Sequence, residues 1–155
     1  MLLRDRWILF WATGCGAGNI PVAPGTFGSL IGLFLAWSIS GWPAGLLAMF
    51  ALAFGGLAVW VAHEAERIMG AKDPGSIVID EVVGMLVACL GLTLTPAAVV
   101  ILFILFRLFD ILKPFPVGWL DRRLTGGVGI VADDVAAGLL ANVVYRAGIW
   151  LYTLI

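Results

Sequence analysis

The charges of this chain are bunched, and the bunching limits what it can fold into. From Phe27 to Ala62, and again from Val82 to Phe106, there is no Asp, Glu, Lys, Arg or His. Short polar segments lie between the apolar stretches. His63 to Glu81 carries Glu64, Glu66, Arg67, Lys72, Asp73, Asp80 and Glu81. Arg107 to Arg123 carries Asp110, Lys113, Asp121 and Arg122, and Asp133-Asp134 stand alone before a last apolar run. A fourth segment, Gly18 to Thr26, is uncharged and dense in Gly and Pro. A soluble domain is about 45–50% apolar and about 25% charged; this chain is 62% hydrophobic and 12% charged. It has too little polar surface to cover a water-soluble globule, so a membrane is its expected solvent.

Length suggests one domain over 1–155, and the sequence sets no oligomeric state. A net charge of -1 leaves no basic footprint for nucleic acid. Cys15 and Cys89 form no metal-type or redox-type pair and read as small apolar residues. Met1 to Thr13 lacks the long apolar run and cleavage site of a signal peptide.

Leu2 to Thr13 reads as a short amphipathic helix with Trp7 and Trp11 on one face, as in a helix lying at a bilayer surface. Glycines, Pro21 and Pro24 make Gly14 to Gly25 a loop, and Thr26 is the expected N-cap of the next helix. Phe27 to Ser40 is a first apolar run, ended by Gly41-Trp42-Pro43. Ala44 to Ala62 is a second, its helix expected to continue through His63 to Met69 and stop at Gly70. Val82 to Leu94 is a third. Ala97 to Leu112 is a fourth, opened by Pro96 and closed by Pro114 and Pro116. Val117 to Gly129 reads as a basic, Gly-rich loop, and Ala132 to Ile155 as a last helix. Arg146 lies too far along it to join the charged segments, and is expected to snorkel or pair with a carbonyl. The expected fold is all-α: a compact polytopic membrane helical bundle of about five short apolar helices plus an N-terminal interfacial helix. Alternation along these runs puts all four polar segments on one face. Lys and Arg crowd that face, so it is expected to be cytoplasmic, with Trp37, Trp42, Trp150 and Tyr152 at the other interface.

Asp80-Glu81 and Asp133-Asp134 are each expected to open an apolar helix. Capping accounts for one acid at each start, not for two. Glu64 and Glu66 end a helix, where the dipole disfavours acids. Several carboxylates on one face cannot all stay ionised without a cation, and their oxygens suit a hard divalent ion, Mg2+ above all. Arg107, Asp110 and Lys113 recur every third residue and share one helix side. They are either a structural ion pair with a surface anchor or bases for a phosphate, whose oxygens match the guanidinium fork. The Asn19 to Thr26 segment leads into a helix start. Its N–H groups, with the Thr26 and Ser29 hydroxyls, are a candidate anion site or a plain turn. His63, the sole histidine, is structural or an acid/base. One histidine excludes the two-histidine lipid phosphatases. The chain has no Asp-x-Asp-Gly-Thr, no Cys-x5-Arg and no Asp-Gly-x2-Ala-Arg, so a metal-activated water is the nucleophile that remains. The rival class, a small cation-binding membrane transporter, needs ionisable groups at mid-membrane, where this chain has almost none.

Four motifs occur in order: Gly16-x-Gly18-x2-Pro21-x-Ala23-Pro24-Gly25-Thr26-x-Gly28-Ser29, Lys72-Asp73-x4-Val78-x-Asp80-Glu81-x2-Gly84, Arg107-x2-Asp110-x2-Lys113-Pro114-x-Pro116, and Gly126-Gly127-x-Gly129-x3-Asp133-Asp134-x3-Gly138. Together they resemble the phosphatidylglycerophosphatase A family over Gly14 to Gly138. The resemblance implies a Mg2+-dependent phosphatase that removes the terminal phosphate of phosphatidylglycerophosphate, giving phosphatidylglycerol. It places that reaction at the cytoplasmic face of the bacterial inner membrane. Asp80, Asp133 and Asp134 are then the first candidates for metal ligands, with Glu64 and Glu81 next. Asp80, Asp110 and Glu64 are the candidate catalytic groups. Arg107 and Lys113 are expected to hold the phosphate, and Thr26, Ser29 and Asn19 to complete the substrate site.

Overall fold

A computed structural model describes residues 2–154, and every regular element among them is a helix. Helix α1 (Leu3–Ala12) is followed by a single 3-10 turn (Ala17–Asn19), then α2 (Pro24–Ser38), α3 (Ala44–Met69), α4 (Ile79–Ala88), α5 (Pro96–Leu112), α6 (Val117–Arg123) and α7 (Gly126–Tyr152).

Helix α4 is the axis of the bundle. Ile79, Val82, Val83, Met85, Leu86 and Ala88 are all buried, with α7 and α2 packed along it and α3 and α5 flanking. The close fit has a cause in the sequence. Gly25, Gly28 and Gly32 form one stripe of α2, facing α4. A Cβ on Gly28 would lie 2.8 Å from the Val78 Cβ, and one on Gly32 2.6 Å from the Val82 carbonyl oxygen. On the opposite side Gly138 of α7 meets the Gly84 backbone, and a Cβ on Gly84 would lie 2.6 Å from the Phe106 ring. Small residues at these positions let backbones approach as they do in membrane helix pairs.

Helix signals fix the ends. Thr95 caps α5, its Oγ1 accepting from the Ala98 N–H at 3.2 Å, with Pro96 as first helical residue. Gly70 ends α3 in the left-handed conformation at φ 66°. The exposed carbonyls at the end of α4 are satisfied by α7. Asn142 Nδ2 donates to Ala88 O (2.9 Å) and Leu90 O (3.0 Å), and Arg146 Nη2 donates to Leu90 O and Gly91 O, both at 3.0 Å. Arg146 therefore pairs with carbonyls.

Three sequence expectations change. Val117 to Gly129 is not a loop: it forms α6 and the start of α7. The last helix thus begins at Gly126, and Asp133-Asp134 lie two turns inside it rather than at its opening. Thr26 is not an N-cap, because Pro24 opens α2 from Ala23, which sits at φ 50°. The expected five short apolar helices are present as α2, α3, α4, α5 and α7, but they are not uniformly short, running from 10 to 27 residues. Two helices, Ala44–Met69 and Gly126–Tyr152, are long and apolar enough to cross a membrane. Helix α4 is only about 15 Å long at 1.5 Å per residue, half the depth of a bilayer core.

Candidate active site

The starts of α2 and α4, the end of α5 and the third turn of α7 meet at one end of the bundle. Helix α4 carries Asp80 and Glu81 in its first turn, and α7 brings Asp134 beside Gly84. One oxygen from each of Asp80, Glu81 and Asp134 lies within 4.8 Å of the others. Two oxygens on opposite sides of a hard divalent cation are about 4–5 Å apart, so the set fits such an ion.

The electrostatics point the same way. Asp80 Oδ1, Glu81 Oε2 and Asp134 Oδ2 are buried and have no hydrogen-bond partner among the described residues. Buried, unpartnered carboxylate oxygens are costly. Burial first, and then the neighbouring Glu81 and Asp134 carboxylates, hold the Asp80 carboxyl well above its ordinary range. Burial also raises Glu81; Asp80 and Arg107 pull it down, while Asp110 pushes it up. A divalent cation at this point removes the penalty for all three.

A guanidinium adjoins the acids. Arg107 Nη1 donates to Asp110 Oδ2 at 2.6 Å and to Ser29 Oγ at 3.5 Å, and stands 4.0 Å from Glu81 Oε1. Its Nε is buried without an acceptor. Gly25 makes room for this group: a Cβ there would collide with Glu81 Oε1 and lie 3.0 Å from Arg107 Nη1. Ser29 is fully buried and donates to Gly25 O at 2.7 Å, so it holds Arg107 in place. Thr26 is half-buried in the first turn of α2, and Asn19 is exposed at the end of the 3-10 turn.

A second constellation adjoins the first. Lys113 Nζ donates to Asp121 Oδ1 at 2.6 Å and to Asp133 Oδ2 at 2.8 Å. Burial opposes its charge, but the two carboxylates outweigh burial and raise its pKa. Lys113 closes α5 in the left-handed conformation at φ 46°. A lysine there costs about 1–2 kcal/mol, and such strain is often found where a side chain must be aimed.

Two expected metal ligands lie outside the acidic set. Asp133 follows the helical turn of about 100° per residue away from Asp134 and binds Lys113 instead. Glu64 has both oxygens occupied, Oε2 by Arg4 at 2.7 Å and Oε1 by Arg67 at 2.9 Å, and so ties α1 to α3. His63 is exposed, beside Gly126 at the head of α7. Asp121 escaped sequence reading because its segment looked like a loop; a helix over Val117–Arg123 carries it back to Lys113. The spacing Gly25-x2-Gly28-x3-Gly32 was the available signal for the α2–α4 contact.

The family model for phosphatidylglycerophosphatase A matches residues 10–149. A phosphatidylglycerophosphatase A of Escherichia coli (strain K12) is 36% identical over 155 residues, covering 94% of this chain and 86% of the relative. A phosphatidylglycerophosphatase A of Haemophilus influenzae is 41% identical over 140 residues, covering 88% of this chain and 85% of the relative. No solved structure matches.

Proposed function

The chain belongs to the phosphatidylglycerophosphatase A family, and from that premise we propose that it hydrolyses the terminal phosphate of phosphatidylglycerophosphate to give phosphatidylglycerol and inorganic phosphate. The observation that carries this reading is the set of three buried carboxylate oxygens beside a buried guanidinium N–H, all without partners. Asp80, Glu81 and Asp134 would hold a divalent cation, and an all-oxygen set favours Mg2+. When bound, such an ion polarises a phosphoryl oxygen and acidifies a coordinated water.

The chain's own residues supply the rest. Arg107 takes phosphate oxygens through its free Nε edge, held in register by Asp110 and Ser29. Lys113 adds a second positive charge, steadied by Asp121 and Asp133. Water adds to phosphorus as the P–O bond to glycerol breaks, and the departing alkoxide needs a proton. Asp110, next to both Arg107 and Asp134, is the group we assign to proton transfer. Thr26 and Asn19 are assigned to the glycerol hydroxyls, and Glu64 and Asp133 to positioning.

We place the site at headgroup depth on the cytoplasmic side of a bacterial inner membrane, with α3 and α7 crossing and α1 along the surface. Three features support this. Trp7, Phe10 and Trp11 of α1 are exposed; α3 is apolar and largely exposed; and Lys72 and Arg122 line a pocket with Asp121 of the lysine constellation while the Gly41–Pro43 turn is uncharged. The test is phosphate release from detergent-solubilised phosphatidylglycerophosphate with and without EDTA. Release in wild type, lost with EDTA and restored by Mg2+, is expected; release indifferent to EDTA refutes the metal reading.

A further inference from the structure

Helices α4 and α7 run parallel, and their contacts climb in step. Asp80 faces Asp134 in the acidic set. A Cβ on Gly138 would collide with Gly84 O and lie 3.2 Å from Ala88 N. Asn142 Nδ2 then donates to Ala88 O at 2.9 Å. Each contact lies one helical turn beyond the last on both helices, so a single face of each is engaged along about two turns. Between the acids and Asn142 this seam consists of Gly84, Ala88 and Gly138. Such residues bring backbones close. They carry no side chain long enough to interlock, so they fix the separation of two helices better than their slide along each other. Asn142 supplies the directional contact that the seam lacks. Arg146 Nε donates to Asn142 Oδ1 at 2.7 Å, which turns the amide nitrogen toward α4. Leu90 O accepts from both Asn142 Nδ2 and Arg146 Nη2, each at 3.0 Å.

We propose that Asn142, oriented by Arg146, is a positioning residue that sets the axial register of α7 against α4, and with it the spacing of Asp80 and Asp134. The inference rests on the reading of Asp80, Glu81 and Asp134 as the holders of a cation, and adds what keeps them in place. Ligand distances in a metal site are held to about 0.2 Å, whereas a slip of one residue along a helix moves an acid by about 1.5 Å. A slide far short of one residue therefore spoils the set. Asn142 lies eight residues beyond Asp134, and Ala88 eight beyond Asp80, about 12 Å along each axis. Two short, straight helical stretches carry the constraint over that length. A single polar residue in an otherwise apolar helix seam is the best-attested device for fixing register. Satisfying carbonyls is too small a task for this arrangement. Arg146 alone already reaches Leu90 O and Gly91 O, and Asn142 adds a second donor to Leu90 O besides its bond to Ala88 O.

The experiment uses the full chain in detergent, with no lipid substrate. Asn142→Leu removes the amide, while Asn142→Asp keeps its shape and its acceptor for Arg146 but loses the N–H donors. Isothermal titration with Mg2+ should give a Kd raised at least about tenfold in both variants, the effect of lost support around a metal ligand. Thr95→Ala is the control: it removes the cap of α5 and lowers Tm, yet lies off the seam and should leave the Mg2+ Kd unchanged. A second measurement needs no metal. In EDTA at about pH 8, the Tm changes from Asp80→Asn and Asn142→Leu would add if these distant sites were independent. With the register released the acids can move apart, so the rise in Tm from Asp80→Asn should be at least about halved in the Asn142→Leu background. Wild-type Mg2+ affinity in both Asn142 variants overturns the proposal, as do equal Asp80→Asn changes in the two backgrounds. A wild type that binds no Mg2+ while the metal-free changes fail to add would refute the metal reading alone.

Discussion

Asp80 concentrates the problem this site poses. Its carboxyl is buried, faces Glu81 and Asp134, and is held above its ordinary range, while Arg107 stands between Glu81 and Asp110. Between the unfolded value near 3.8 and the raised folded one, the folded state binds more protons than the unfolded state. The metal-free protein should therefore lose stability as pH rises through that window. Thermal melts in EDTA are expected to give a higher Tm at about pH 5 than at about pH 8, and saturating Mg2+ should shrink the difference, because a bound cation offsets the charge. Asp80→Asn should hold or raise the metal-free Tm while removing the Mg2+-induced increment and lowering kcat at least about 100-fold. Lys113 tests the second constellation. Lys113→Met leaves Asp121 and Asp133 without their shared cation, and should raise KM for the lipid phosphomonoester about tenfold or more. Equal KM in that variant would remove Lys113 from phosphate binding.

Among elements, α4 decides whether the site forms. It is too short to span a bilayer and is held by glycine contacts with α2 and α7 rather than by length. Gly84→Val would drive a side chain into Phe106 and the Asp134 carbonyl, and overpacking of this kind costs about 1–3 kcal/mol. The expected result is a lower Tm together with lost activity, since α4 and α7 carry the three acids. Gly56→Ala is the contrast: nothing lies within 4 Å of its Cβ position in α3, so the helix should gain about 0.5–1 kcal/mol. The acids were legible in the sequence because charge is scarce there, and their convergence followed from simple alternation of apolar runs. Which acids share an ion was not legible, because it depends on where α7 starts. Thr125 and three glycines hide that start, and moving it to Gly126 separates Asp133 from Asp134. The lysine clamp was hidden for a related reason, since α6 is short and looks like a basic loop.

At the scale of the molecule, chemistry sits at one end and hydrocarbon covers the rest. The exposed apolar faces of α2, α3 and α5 are what a bilayer would cover, and the basic residues crowd the end that holds the acids. Orientation is testable by single cysteines on a background lacking Cys15 and Cys89. In intact spheroplasts a membrane-impermeant maleimide is expected to label Trp42→Cys and to spare Lys72→Cys; the reverse pattern would invert the topology. The central claim is that Asp80, Glu81 and Asp134 together hold the ion on which phosphate release depends, and Asp134→Asn tests it most directly. Phosphate release from phosphatidylglycerophosphate should fall at least about 100-fold in that variant, and Mg2+ should no longer raise its Tm. Wild-type Mg2+-dependent release from Asp134→Asn would contradict the claim.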